Sequence, residues 1–271
     1  MGTFLLLRDA HHPGVLYYSA TDGGLELSKT TATGIVGAYG GLVYLSTVLG
    51  GWLADRVLGM ERTVFYGGVV VMLGHIALAV LPGITGVAAG LVLVALGSGA
   101  LKANASSLLG TLYDKGDARA DGGFTLFYLG INLGAFVGPL ITGLLQTRMG
   151  FHYGFGAAAI GMALGLTQYV VFRRNLGSHG REVPNPLPRS GILPAAAAGV
   201  GVVVVAVAAF ASGLVTLANL SQVTTGVIII AAIGYFALLL TSPKVDAGER
   251  TRVRAFIPLF IANAVFWSLF Q

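Results

Sequence analysis

The sequence predicts an all-α integral membrane protein, and three features of its composition indicate this fold class. Hydrophobic residues make up 55% of the 271 residues, charged residues only 10%, and the mean hydropathy is +0.81. Because an ordinary globular domain carries about 25% charged residues, a soluble fold of this composition could not cover its own surface. Gly is also frequent, with 41 residues, which is typical of helices that pack closely in lipid.

Apolar stretches of about 20 residues are long enough to cross a hydrocarbon core as helices. They cover seven ranges of the chain: 31–52, 63–82, 86–112, 124–145, 153–172, 192–215 and 220–241. An eighth stretch begins near Phe256 and is still apolar at Gln271, so we expect the chain to end inside a span. Residues 1–20 form neither a full span nor a signal peptide, so we expect an incomplete first helix.

The basic residues predict the orientation of these spans. Twelve of the 16 Lys and Arg residues fall in loops on one side of the membrane: Arg56, Arg62, Lys115, Arg119, Arg173, Arg174, Arg181, Arg189, Lys244, Arg250, Arg252 and Arg254. Short loops rich in Lys and Arg remain in the cytoplasm, so we expect this side to be inside. Because the net charge of +5 is spread over orienting loops, the sequence argues against a nucleic-acid partner.

Two polar segments divide the chain into five parts. We expect a transmembrane bundle over 1–173, a flexible cytoplasmic linker over 174–190, a transmembrane helical hairpin over 191–241, a second cytoplasmic linker over 242–255 and the start of a further helix over 256–271. The hairpin carries no ionisable residue in its spans, so we expect a peripheral element that faces lipid. The protein is therefore predicted to be a multi-pass protein of the plasma or inner membrane.

Lys102 is the one Lys, Arg, Asp or Glu that falls well inside a predicted span. A lysine near the middle of a bilayer costs about 2.5–3.5 kcal/mol on insertion scales, so its presence indicates a function. Ser98 and Ser106 lie one turn away on either side, which predicts a polar seam along one helix face. A role in a cavity is favoured over a side chain that merely reaches the membrane surface.

Asn132 lies in a span beside a ladder of small residues. Gly130, Gly134 and Gly138 recur every four residues, which suits close contact with another helix. Asn132 lies about 200° around the helix from Gly130, so we expect it to point elsewhere, either into a cavity or into an interhelical hydrogen bond. The spacing alone does not separate these two roles.

A charged stretch, 50-GGWLADRVLGMERT-63, links the first two spans and includes Gly51 and Gly59. Asp55 and Arg56 follow one helix and Arg62 opens the next, so ion pairs could hold the two helices in one conformation and release them in another. The alternative is a solvated turn whose basic residues only set the orientation. We refer to residues 50–63 as the motif loop.

The remaining polar residues give weaker predictions. His75 lies in mid-span, where a neutral, hydrogen-bonded structural histidine is favoured over a proton relay. Tyr39 and Tyr44 could face a cavity or pack with a satisfied hydroxyl group. Cys is absent, and the sequence shows no metal-ligand cluster, phosphate loop or nucleophile with its base, so we expect neither an enzyme nor a bound cofactor or metal.

Three segments resemble motifs of one transporter family, in the expected order along the chain. GGWLADRVLGMERTVFYGG resembles the loop motif of the major facilitator superfamily in its longer peptide-transporter form. FTLFYLGINLGAF and GSGALKANASS resemble the second signature and the lysine motif of the proton-dependent oligopeptide transporters. The resemblance extends from about Tyr17 to Gln271, and the hairpin at 191–241 is similar to the two extra helices of bacterial members.

The resemblance implies a major-facilitator-type helix bundle that cotransports protons with di- and tripeptides by alternating access. Lys102 would engage the carboxylate of the peptide and take part in proton coupling, and Asn132 would hydrogen-bond the peptide backbone. Tyr44 and Trp267 would line the pocket. Small peptides, protons and the lipid bilayer are then the expected partners, with the proton as coupling ion.

The sequence also departs from the family pattern. Residues 1–16 lack the family's acidic and basic ExxER-type run, Gln271 stands where many members carry a glutamate, and the family's last five helices have no counterpart. We therefore expect a truncated chain that lacks the C-terminal half of the transporter. Two alternatives remain: a family member with another substrate, such as nitrate or an amino-acid derivative, and a non-transporting membrane fragment that packs against a partner.

Overall fold

The computed structural model describes residue 25 and residues 27–270, and it is built from α-helices joined by short connections. The helices are α1 Lys29–Leu53, α2 Met60–Val80, α3 Gly83–Gly110, α4 Arg119–Met149, α5 Phe151–Phe172, α6 Arg189–Ala211, α7 Leu220–Thr241 and α8 Ala247–Phe270. A π-helical turn, Ala54–Leu58, extends α1, and a 3-10 turn, Arg173–Leu176, extends α5. The first seven helices are long and apolar enough to cross a membrane, which confirms the predicted all-α membrane fold.

α8 begins earlier than the sequence suggested. Residues 247–255, which the charge pattern places in a connection, form the first turns of this helix. The Asp246 carboxylate accepts a hydrogen bond from the backbone N–H of Glu249, and the Glu249 carboxylate accepts one from that of Asp246. This reciprocal capping box satisfies two amide groups at the helix start, so the helix begins among charged residues.

The described residues divide into two compact units, one up to Ser221 and one from Gln222 onward. In the first unit, α1, α2 and α3 pack most closely, and glycines allow this close approach. A Cβ atom added at Gly97 of α3 would lie 2.5 Å from the carbonyl oxygen of Gly67 on α2, and one added at Gly74 of α2 would lie 2.9 Å from that of Gly90. Small residues therefore form the seam between these helices.

An apolar cluster continues from this seam along the same three helices. Its buried members come from α1, α2, α3 and the start of α5: Ala32, Ile35, Leu78, Val87, Leu91, Val94 and Phe151. Tyr39 packs against this cluster, so it is a packing residue. The long apolar side chains on the outer faces of the helices are largely exposed, as expected of surfaces that contact lipid.

α4 contacts α5 but none of its residues is buried. Gly130, Gly134 and Gly138 have open space around them, so the expected helix contact along this ladder is not formed among the described residues. Gly154 of α5 instead approaches the Thr142 carbonyl of α4. The spacing identified a small-residue face correctly, but the close contacts of the first unit use other glycines.

α6, in the first unit, has no buried residue, and neither has α7. Within the second unit, Phe236 of α7 meets Phe256 and Phe260 of α8, with ring centroids 6.5 and 5.3 Å apart. This exposure agrees with an apolar hairpin that faces lipid, while the division of the chain into five parts stays a prediction.

Candidate functional site

Lys102 lies on α3 with its ammonium group over the ring of Tyr44, which belongs to α1. The distance from Nζ to the ring centroid is 4.5 Å, within the range of a cation–π contact. Both side chains are exposed, and Tyr44 has an exposed fraction of 62%. Among the residues that the structure describes, no carboxylate forms an ion pair with Lys102. The aromatic face therefore orients a cation that remains available to an anionic ligand.

The close crossing of α1 and α3 accounts for this contact. A Cβ atom added at Gly50 would lie 2.5 Å from the Cα of Ala100, and one added at Gly99 would overlap Ser46. Asn104 is buried at the crossing, and its side-chain amide donates hydrogen bonds to the carbonyl oxygens of Gly50, at 3.1 Å, and Ala100, at 2.8 Å. The two helix backbones are thus in direct contact beside Lys102 and Tyr44.

Asn132 is exposed on α4. Its Nδ2 donates to the carbonyl oxygen of Tyr128, one turn earlier in the same helix, at 2.8 Å. Its Oδ1 and the second hydrogen on Nδ2 are not used in that bond, so the amide keeps capacity for a ligand. No hydrogen bond joins Asn132 to Lys102 or Tyr44 within the described part of the chain.

Trp267, the fourth predicted binding residue, belongs to α8 in the second unit. Its side chain lies outside the described residues, so its part in a pocket stays a prediction. The structure therefore brings together two of the four predicted binding residues, Lys102 and Tyr44.

The predicted ion pairs of the motif loop are not found among the described residues for Asp55, Arg56 or Arg62. Asp55 and Arg62 are exposed, Arg56 is half-buried, and Gly51 has open space where a side chain would extend. The carbonyl oxygens of Asp55 and Arg56 accept hydrogen bonds from the backbone N–H groups of Asn185 and Leu187, at 3.0 and 2.8 Å. Backbone contacts with the linker thus take the place of the expected ion pairs.

The linker is held against the motif loop at a second point. The backbone N–H of Glu61 donates to the carbonyl oxygen of Gly180 at 2.9 Å. Gly59 has φ of +80°, and a Cβ atom there would lie 2.7 Å from the carbonyl oxygen of Arg181, so a side chain would be strained and crowded. The segment 174–190, predicted as a flexible linker, therefore follows the surface of the motif loop.

In the described part of the chain, the ion pair of the motif loop is formed by Glu61, not by Asp55, Arg56 or Arg62. The Glu61 side chain is fully buried in the first turn of α2, with an exposed fraction of 0%. Arg173, at the end of α5, donates a hydrogen bond to its Oε2 at 3.1 Å and lies 2.8 Å from its Oε1 in the ion pair, and the Tyr169 hydroxyl group donates to the Glu61 backbone carbonyl oxygen at 3.4 Å. Glu61, which the sequence places in the motif loop between two spans, lies instead in the first turn of α2.

His75 is half-buried on α2. Its Nδ1 atom is buried and has no hydrogen-bond partner among the described residues. The hydrogen bond expected of a structural histidine is therefore not found at this nitrogen.

Sequence reasoning assigned no site role to Asn104, Glu61 or Tyr169, and it used Arg173 only to orient the spans. Asn104 lies two residues after Lys102 in the lysine motif, and Glu61 lies in the motif loop, so both motifs pointed to the neighbourhood. Their partners are distant in sequence: 54 residues separate Asn104 from Gly50, and 112 separate Glu61 from Arg173. Spacing along one helix could not reveal them.

The described residues hold seven helices long and apolar enough to cross a membrane, and together with the oriented lysine at one helix crossing they define a multi-pass α-helical membrane protein. Comparison with known proteins identifies the family within this class. The model of the POT family matches residues 61–271, and the chain belongs to this family. The resemblance to proton-dependent oligopeptide transporters seen in the motifs is thereby confirmed. Members of this family are transporters rather than enzymes.

Curated relatives of the chain include bacterial transporters. The chain is 45% identical over 258 residues to the uncharacterized transporter YclF of Bacillus subtilis, covering 94% of this chain and 52% of that protein. It is 42% identical over 257 residues to a di-/tripeptide transporter of Lactococcus lactis, covering 93% of this chain and 52% of that protein. The chain therefore spans about half the length of the curated relatives it matches.

The chain also matches about half the length of solved transporter structures. Peptide transporter POT in complex with sulfate is 46% identical, with a TM-score of 0.83 over 98% of this chain and 54% of that chain. A POT family transporter in complex with a thioalcohol-conjugated peptide is 36% identical, also with a TM-score of 0.83, over 98% of this chain and 55% of that chain. The fold is thus that of half a POT family transporter.

Proposed function

We propose that this chain forms the N-terminal half of a proton-coupled symporter that carries di- and tripeptides by alternating access. The observation that carries the proposal is the Lys102 ammonium group, which lies 4.5 Å above the Tyr44 ring and pairs with no carboxylate among the described residues. The relatives named di-/tripeptide transporters and the peptide-bound POT structure support a peptide as the substrate class.

Each binding residue has a chemical part in this proposal. A peptide zwitterion needs a fixed cation for its carboxylate, which Lys102 supplies. Asn132 offers both an amide donor and an acceptor to the peptide backbone. Tyr44 and Trp267 contribute aromatic surface that tolerates different peptide side chains.

Proton coupling is assigned to Lys102 as well. An ammonium group in a membrane is costly without an anionic partner, so the charge of Lys102 is best tolerated when the peptide carboxylate is bound. The proton is the coupling ion, and no other cofactor is invoked.

We assign a conformational role to Gly51, Asp55, Arg56, Gly59 and Arg62 in the motif loop. Three backbone hydrogen bonds from the loop to residues 180–187, together with the crowded Gly59, support this role. A change in the position of the linker would change the contacts that hold α1 and α2 together. The loop thereby links the bundle to the segment that leads into α6.

A second set of helices completes the transporter in this proposal. The exposed ladder Gly130, Gly134 and Gly138 and the absence of buried residues in α4 support a surface that another helix covers. The C-terminal half of a POT family relative has the matching place in the fold. Such a half supplies the other wall of the peptide site and the second body needed for alternating access.

Uptake of labelled dialanine tests the proposal. Residues 1–271 are expressed with the C-terminal half of the YclF transporter in cells that have no peptide uptake of their own. We expect uptake that an inward proton gradient drives and a protonophore stops. Lys102→Ala should abolish it, whereas Lys115→Ala, in the exposed turn before α4, should leave it intact. Undiminished coupled uptake in Lys102→Ala would refute the assigned role.

Two measurements separate the alternative functions. Competition by nitrate or an amino-acid derivative, without competition by unlabelled di- and tripeptides, would favour another substrate within the family. Failure of the purified chain to bind any peptide, together with stable association with a different membrane protein, would favour a non-transporting polypeptide.

A further inference from the structure

Asn104 is a buried polar residue at the crossing of α1 and α3, with an exposed fraction of 4%. Its Nδ2 donates across the crossing to the carbonyl oxygen of Gly50 at 3.1 Å and along its own helix to that of Ala100 at 2.8 Å. An asparagine in lipid-embedded helices needs such partners, because an unpaired amide group there has no water to bind. The bond to Gly50 ties the two helices together at a single point.

The Gly50 carbonyl is reachable because the helices touch there. Glycine at position 50 lets Ala100 approach, and glycine at 99 lets Ser46 approach. Any rotation of α3 about its axis would separate Asn104 from Gly50 and also move Lys102, which lies two residues earlier on the same helix. The hydrogen bond and the direction of Lys102 are thus linked by rigid helix geometry.

Lys102 reaches Tyr44 across the same crossing. Side chains on a helix lean toward its N-terminus, so the long Lys102 side chain extends back along α3. Tyr44 lies two residues before Ser46, which touches Gly99, and its ring is 4.5 Å from the ammonium group. This contact joins two exposed side chains, whereas the Asn104 hydrogen bond is buried between the helix backbones.

We propose that Asn104 is a positioning residue for Lys102. Its hydrogen bond to the Gly50 carbonyl fixes the crossing of α1 and α3 and thereby holds the ammonium group over the Tyr44 ring. The importance of this for peptide binding rests on the proposed function, whereas the position of Lys102 can be measured without any substrate.

Nuclear magnetic resonance of the lipid-embedded chain measures that position directly. Reductive ¹³C-methylation labels the lysine side chains and keeps their charge. The signal that Lys102→Arg removes is assigned to Lys102, and a methyl group held over an aromatic ring is shifted upfield. Tyr44→Leu, which removes the ring, gives the reference shift for an unpositioned lysine.

Asn104→Ala should move the Lys102 signal most of the way to the Tyr44→Leu reference. Asn104→Ser should do the same, because a hydroxyl group can bond to Ala100 on its own helix but is too short to reach Gly50. Ser107→Ala, an exposed change on the same helix, should leave the signal in place. An unchanged Lys102 signal in both folded Asn104 variants would overturn the proposal.

A double-mutant cycle then tests the consequence for binding. If Asn104 acts through Lys102, then in the chain assembled with the C-terminal half of the YclF transporter Asn104→Ala should weaken dialanine binding about 3- to 10-fold when Lys102 is present and leave it unchanged in Lys102→Met. Equal weakening in both backgrounds would contradict a positioning role. A changed Lys102 signal, with no detectable peptide binding by the assembled protein, would refute the proposed function alone.

Discussion

At the residue scale, the contact between Lys102 and the Tyr44 ring stabilises the lysine by less free energy than its insertion into the membrane costs. An exposed cation–π contact contributes about 0.5–1 kcal/mol, less than the cost of a mid-membrane lysine of about 2.5–3.5 kcal/mol. The Tyr44 ring therefore orients the ammonium group without neutralising it. An anionic ligand such as a peptide carboxylate would supply the missing interaction.

Glu61 is the residue whose neutralisation should loosen the linker. Glu61→Gln removes the charge that Arg173 pairs with at 2.8 Å, and breaking one side of a buried ion pair costs up to about 3 kcal/mol when the other side is partly exposed. Arg173 is 35% exposed, so water compensates part of the loss. We expect faster amide hydrogen exchange over residues 177–187 and earlier tryptic cleavage after Arg181.

Glu182→Gln is the matched control for that prediction. It also removes one carboxylate, but from an exposed position on the linker. Exchange and cleavage should be unchanged in this variant. Equal protection of residues 177–187 in Glu61→Gln and the unmodified chain would show that the ion pair does not hold the linker.

The sequence revealed the residues whose type is unusual for their place, and it missed those whose partners are distant in the chain. Lys102 is prominent because lysine is rare within a span. Asn104 and Glu61 are not, because the bonds that define them reach Gly50 and Arg173 through folding. The span position of Tyr44 left cavity and packing roles open, the family resemblance implied a pocket role, and the cation–π contact places its ring beside Lys102.

At the scale of the helices, the close contacts depend on which glycine meets which neighbour. The length of the apolar stretches predicted the seven spans because helix length and hydropathy are local properties. The glycine spacing selected the ladder Gly130, Gly134 and Gly138 for close packing, yet these positions have open space. Glycine spacing describes one helix surface, whereas contact requires a second surface that the spacing does not specify.

Gly50 offers a direct test of the crossing of α1 and α3. Gly50→Ala would place a methyl group 2.5 Å from the Cα of Ala100, a backbone atom that cannot move aside without shifting the helix. Overpacking of this kind costs about 1–3 kcal/mol. We expect a lower midpoint of thermal unfolding in lipid discs, with loss of the Lys102 ring shift.

Gly40→Ala on the same helix provides the comparison. No atom lies within 4 Å of the added methyl group, so we expect unchanged or slightly raised stability, as for glycine to alanine in an exposed helix interior. If both variants unfold at the same temperature, the close contact between α1 and α3 does not contribute to stability.

At the scale of the whole molecule, the chain is about half of a POT family transporter and exposes one face of α4. The relatives are covered to 52% of their length, and α4 has no buried residue. Because the glycine ladder on this helix is not used within the described residues, a bulky residue there should not disturb the bundle itself.

Gly134→Leu should therefore separate folding from assembly. The side chain enters open space, so the unfolding midpoint of the chain should not fall. Copurification with the tagged C-terminal half of the YclF transporter should fall sharply, because the leucine blocks close helix approach. Gly201→Leu on α6, which also enters open space, is the control and should copurify normally. Normal copurification of Gly134→Leu would exclude this face from the contact.

The central claim is that Lys102 receives the carboxylate of a bound peptide, and the affinity for dialanine compared with its C-terminal amide tests this most directly. A hydrogen bond to a charged group contributes about 1.5–3 kcal/mol, so amidation should weaken binding to the assembled protein roughly 10- to 150-fold. In Lys102→Ala the two ligands should bind equally weakly. Equal affinity for dialanine and its amide in the unmodified protein would contradict the claim.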